Sequence, residues 1–131
     1  MILNLTQHPA SSEQVDLGVV DLRDEQLGAL KELLTFDFCP NSAEIKDRAE
    51  AIAELASFNG LSGDEGDSPF IDTAMIGGAL WLMAPLAQAL KERGIEPVFA
   101  FSVRETEEQT QADGSVRKVV VFRHTGWVPA L

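Results

Sequence analysis

Short apolar runs alternate with segments of helical period along this chain, and that order restricts what it can fold into. Met1 to Leu5 reads as a strand. Ser11 or Ser12 can cap a short helix through about Leu17, with Gly18 as its stop. Gly18 to Leu22 is either a small strand or a linker. Asp24 opens a helix through about Thr35, with Leu27, Leu30 and Leu34 on one face. Asn41-x-x-Glu44 matches a capping box, and the helix it starts buries Ile45, Ala49, Ile52 and Ala56. Its outer face carries the four-residue pair Glu44–Arg48. Asn59 to Pro69 reads as a surface loop rather than a Ca²⁺ loop, because the alternating acids and the closing glutamate are missing.

The second half repeats the alternation. Phe70 to Ile76 is a strand candidate that runs into Gly77-Gly78 and a helix ending at Gly94. Leu82, Leu86 and Leu90 form that helix's stripe, joined by Met83. Pro85 requires the helix to start near it or to kink there. Pro97 to Val103 reads as a buried strand and Val116 to Val128 as another, joined through the hairpin signal Asp113-Gly114. The fold expected is α/β: a single compact Rossmann-like domain over residues 1–131. It has several helices and a mostly parallel central sheet with a C-terminal antiparallel β-hairpin at its edge. The ends of the first three strands then share one rim.

Charge and cysteine content exclude several functions. The formal net charge is −11, with 21 acidic residues against 10 basic ones. A broad surface for duplex nucleic acid needs a basic patch, so no duplex partner is expected. A small anionic ligand needs only a few local donors. One cysteine, Cys39, allows no internal disulfide. Cys39, His8 and His124 lack ligand spacing, so no metal and no cofactor are expected. No apolar stretch is long enough to span a membrane, and no basic segment precedes the first apolar run. A cytoplasmic protein with no membrane partner is the expectation.

Three polar constellations fall at expected strand ends. Thr6, Gln7 and His8 follow the first strand, where α/β proteins bind ligands. A hydroxyl, an amide and an imidazole bind phosphate, position a ribose or move a proton; the same side chains also satisfy loop backbone groups. Gly77 and Gly78 let a ligand approach backbone amides, or pack a tight turn. Neither a dinucleotide fingerprint nor a P-loop is present. Ser102 and Arg104 end the later strand, with Arg123 and His124 across the hairpin. A two-residue turn at Asp113-Gly114 puts Arg104 directly opposite Arg123, a repulsive pair that calls for a bound anion or for neutralisation by Glu105 or Glu107. A bulge would remove that pairing.

The opening Leu3 to Gln14 resembles the starts of small CRISPR-associated proteins of the CARF-like group, which includes proposed ring nucleases. The wider chain is similar to a family of short uncharacterised proteins from bacteria and mobile elements. That similarity rests on Ile76 to Ala79, Met83 to Leu86, Phe101 to Glu105 and Phe122 to His124. The CARF-like resemblance implies a homodimer that binds a cyclic oligoadenylate and cleaves it without metal, a ribose 2′-hydroxyl attacking the adjacent phosphate. It implies roles for Thr6, His8 and Arg104 in catalysis and for Gln7, Gly77, Gly78 and Ser102 in binding. The extra helices between Asp24 and Ser57 and the long acidic hairpin depart from that pattern. The function expected is binding of a small anionic nucleotide in a prokaryotic defence or mobile-element system. The alternative is a non-enzymatic acidic interaction or inhibitor protein of phage or mobile-element origin.

Overall fold

The computed structural model describes residues 1–61 and 71–131, the side chains of 59–61 excepted. Five strands form one sheet: β1 (Ile2–Leu5), β2 (Val19–Asp21), β3 (Thr73–Ile76), β4 (Glu96–Thr110) and β5 (Val116–Pro129). Their order is β2-β1-β3-β4-β5. The first four run parallel, and β5 returns antiparallel along β4 at the edge. Four helices connect them: α1 (Ser12–Asp16), α2 (Asp24–Leu34), α3 (Ser42–Leu61) and α4 (Leu80–Glu92). The mostly parallel α/β sheet with an antiparallel edge is the fold the sequence pattern implies. Gly18 to Leu22 resolves as the short strand β2.

Strand alternation divides the sheet's two faces. Leu3, Leu5, Ala74 and Ile76 join a core with Leu30 and Leu34 of α2, Ala49, Ile52, Ala53 and Ala56 of α3, and Leu82, Leu86 and Leu90 of α4. The helical stripes read from the sequence are the ones that pack there. The intervening residues Asn4 and Met75 face the other side, where Gln14 of α1 shares a cleft wall with Met75 and Ala100. The chain moves from β1 out to β2, then returns past β1 to β3. The order therefore reverses between β1 and β3, the topological switch point of doubly wound sheets.

Local chemistry sets the ends of the helices. Ser11 and Gln14 form a reciprocal capping box on α1. On α3, Asn41 Oδ1 accepts the Glu44 amide at 2.9 Å, while the Glu44 carboxylate turns instead to Arg48 at 2.9 Å. Arg48 also reaches back across the α2 terminus, donating to the carbonyls of Glu32, Leu33 and Thr35. Its guanidinium lies 4.2 Å from the Phe36 ring centroid. It thus satisfies orphan carbonyls at a negative helix end and stacks on an aromatic face. Arg48→Ala is expected to lose about 1–2 kcal/mol of stability, measured by urea unfolding.

Several boundaries differ from expectation. α3 continues through Leu61, past the expected loop start at Asn59; the rest of that loop, and Phe70, lie outside the described residues. Strand β3 begins only at Thr73. Pro85 lies inside α4. Proline has no N–H, so the Trp81 carbonyl loses its intrahelical donor. Pro97 and Val98 are buried as expected, but β4 runs on to Thr110 as the partner of β5, and Phe101 is 51% exposed.

The hairpin loop is one residue longer than expected. Gln111 and Ser115 close it through an N–H···O bond of 2.7 Å, with Gly114 at φ 86. This is a three-residue loop with a left-handed glycine rather than a two-residue turn. The Asp113 carboxylate accepts from the Ser115 hydroxyl and amide, which hold its pKa below the ordinary aspartate value. The longer loop shifts the register: Arg104 lies opposite Phe122, and Arg123 lies opposite Val103. The two arginines therefore point to opposite faces of the ribbon, and the expected Arg104–Arg123 pair does not exist.

Candidate functional site

The site is built around a buried polar residue. Asn4 is 3% exposed in the middle of β1. Parallel pairing sets it beside Asp21 of β2, and its Nδ2 donates to Asp21 Oδ1 at 2.7 Å and to the His8 carbonyl at 2.8 Å. Its Oδ1 accepts the Thr6 amide at 2.9 Å and the Thr6 hydroxyl at 2.7 Å. Asp21 in turn accepts the Ala10 amide. One side chain thereby fixes the loop Thr6 to Ala10 from the inside, with both ends of its amide satisfied.

That loop stands at the switch point and lines two clefts. One, of about 460 Å³, is bounded by Thr6–Pro9, Gln14, Met75–Gly78, Phe99 and Ala100. It is the crevice beyond the carboxyl ends of β1 and β3, where α/β sheets bind ligands. Gly77 packs closely: a Cβ there would lie 3.3 Å from Thr6 Cγ2, a tight contact for the loop to absorb. Gly78 is required by its backbone, at φ 143. The second cleft, of about 710 Å³, lies on the β2 side, between Thr6–Pro9 and the α2 face of Asp24, Leu27 and Lys31, with Asp21 and Arg23. Among the described residues, neither Arg23 nor Lys31 makes an ion pair. Asp24, the first residue of α2, holds φ at 52, a left-handed conformation uncommon outside glycine.

The expected site residues separate into two groups. Thr6, Gln7, His8, Gly77 and Gly78 converge on the loop and its clefts. The Thr6 hydroxyl donates to Asn4, so it holds the loop. Gln7 Nε2 donates to Thr35 Oγ1 at 3.3 Å and ties the loop to the end of α2. His8 is exposed and lines both clefts.

Ser102, Arg104, Arg123 and His124 line neither cleft. They lie along the ribbon, because β4 does not end at Ser102. Arg123 is held by Glu13 at 3.4 Å, Glu105 at 3.5 Å and Glu107 at 3.3 Å. Hydrogen bonding to Glu13, with the charges of Glu107 and Glu105, raises its pKa further. The neutralisation by Glu105 and Glu107 weighed against an anion clamp is what surrounds this arginine. The His124 amide donates to Glu13 at 2.8 Å beside the register shift at Phe101/Ser102, and the His124 ring lies 4.4 Å from Trp127.

Sequence reasoning missed Asn4, Asp21, Arg23 and Lys31. A polar residue between Leu3 and Leu5 in a strand bound for a parallel sheet was the available signal for Asn4. The two cations carried none, since only the packing of α2 brings them to the loop.

Among the described residues, no group of three or more His, Cys, Asp or Glu is placed to hold a metal ion. No helix among them is long and apolar enough to cross a membrane. Fold and site define an α/β protein with paired clefts at the carboxyl ends of its central strands. The family model of the Uncharacterized protein MJ1673 family matches residues 1–128, and the chain belongs to that family. No curated protein and no solved structure matches it.

Proposed function

We propose that this protein binds a small phosphate-bearing ligand, a nucleotide, in the clefts around Thr6–Pro9. The observation that carries this reading is the loop itself. It lies at the topological switch point, and a fully bonded buried asparagine preorganises it. Two unpaired cations and an exposed imidazole face the larger cleft of a chain with net charge −11. Asp21 also faces it, but its carboxylate is engaged by Asn4 and Ala10. Asp24 narrows the choice to ligands whose anionic group sits toward Lys31.

The CARF-like resemblance of the opening residues favours a cyclic oligoadenylate within this class. His8 is the histidine placed to exchange a proton with such a ligand, since His124 is off the clefts. Thermal shift and calorimetry against AMP, ribose 5-phosphate and cyclic tetra-adenylate test the reading, with product analysis for cleavage. Lys31→Ala and Arg23→Ala are each expected to weaken binding about tenfold, the equivalent of one charge-assisted contact. Absence of binding by every phosphate ligand overturns the reading.

A second reading has its own support. The ribbon exposes Val116, Val120 and Phe122 along one face, the last at 72%. A protein that acts by contact alone would use this element, and binding would then survive both cleft substitutions.

A further inference from the structure

We propose that the indole of Trp81 is a stacking surface for the base of the bound nucleotide. This rests on the phosphate-ligand reading above and assigns the other half of the ligand. Trp81 sits in the first turn of α4, three residues after Gly78, and is 52% exposed. The core side of that helix is taken by Leu82, Met83 and Leu86. The indole is nevertheless held in place. Phe36 packs against it at 5.5 Å between centroids, with the rings 75° apart. Arg48 covers Phe36 and is itself fixed by Glu44 and three carbonyls. A large ring that is half exposed and held by a neighbouring ring is a preorganised platform, and every nucleobase has a π-face to lay on it.

The platform adjoins the clefts. Gly77 and Gly78 line the smaller one, and three residues of chain span at most about 11 Å. From the larger cleft, Lys31 lies one helical turn from Thr35, about 6 Å along the axis. Thr35 meets Gln7, and the next residue is Phe36. Lys31 and Gln7 line the larger cleft, and contacts lead on from Gln7 through Thr35 and Phe36 to Trp81, so the indole stands beyond the cleft edge rather than in its lining. A nucleotide with its phosphate toward Lys31 would reach out over the cleft edge to lay its base on Trp81.

Calorimetry on the unaltered protein with AMP and with ribose 5-phosphate gives the first test. AMP is expected to bind about tenfold more tightly, the increment of one base–aromatic stack. Trp127→Phe leaves Trp81 as the sole tryptophan, and AMP is expected to quench its fluorescence where ribose 5-phosphate does not. Trp81→Leu should erase the tenfold difference while keeping ribose 5-phosphate affinity, and Trp81→Phe should restore part of it. Equal binding of the two ligands by the unaltered protein overturns the stacking role and leaves the phosphate site standing. So does equal weakening of both by Trp81→Leu. Binding of neither ligand overturns both.

Discussion

Asn4→Ala is expected to lower stability by about 3 kcal/mol and the melting temperature by roughly 10 °C. The substitution removes little volume, so the effect comes from the hydrogen bonds. Without the amide, the Thr6 N–H loses its acceptor, the His8 carbonyl keeps only the Thr6 hydroxyl, and Asp21 keeps only the Ala10 amide. Leaving partners unmet inside a fold costs more than the bonds contributed. The proposed nucleotide binding should be lost as well, because the Thr6 to Ala10 loop is no longer held from inside. Asn4→Asp provides the sharper comparison. It keeps the shape but sets a second carboxylate against Asp21, 2.7 Å from where the amide nitrogen stood. At neutral pH that variant should be less stable than Asn4→Ala, and it should recover as pH falls and one of the two acids takes a proton. Differential scanning calorimetry at pH 7 and pH 5 distinguishes the cases. A melting point for Asn4→Ala within 2 °C of the parent would show that the network is incidental.

Leu86→Ala should cost about as much through a different mechanism. Leu86 is 0% exposed, on the α4 stripe that meets the core shared with α3 and the sheet. Truncation there leaves a cavity that a helix layer pinned to a parallel sheet cannot collapse, a loss of about 3 kcal/mol. Phe122→Ala is the contrast. Phe122 is the larger side chain, yet at 72% exposure on the ribbon its truncation should change stability by no more than about 0.5 kcal/mol. Urea unfolding of both variants, read with equal m-values, separates core burial from apolar content. Similar losses for the two would mean that the ribbon face is covered.

These two residues also mark what the sequence disclosed. Leu86 was legible because a buried helix face repeats every three to four residues, and Leu82, Leu86 and Leu90 state that period openly. The strand-helix order likewise dictates a parallel sheet. Asn4 was not legible as a hub, because its partners are assigned by register. Asp21 comes beside it only when β2 pairs with β1, and nothing local in Gly18 to Leu22 announces that pairing. The arginine pair failed for a related reason. One extra loop residue, with Gly114 in the left-handed region, moves each cross-strand neighbour by one from Thr110 back to Ser102, where the register shift at Phe101/Ser102 takes the slip up again. The site was half visible: Thr6–His8 and Gly77–Gly78 follow strand ends that can be read locally. Arg23, Lys31 and the braced indole depend on how α2 and α4 lie across the sheet.

The reversal of strand order between β1 and β3 also decides how divisible this molecule is. The larger cleft is walled by residues between Asn4 and Lys31, and the smaller one sets the Thr6–Pro9 loop and Gln14 against Met75–Gly78, Phe99 and Ala100. The two sides of the smaller cleft are far apart in the chain and meet because β1 lies between β2 and β3. The smaller of the two clefts is therefore a property of the assembled sheet. An N-terminal fragment would carry the residues of the larger cleft without the wall that completes the smaller one, and a C-terminal one would carry the glycines with nothing to face them.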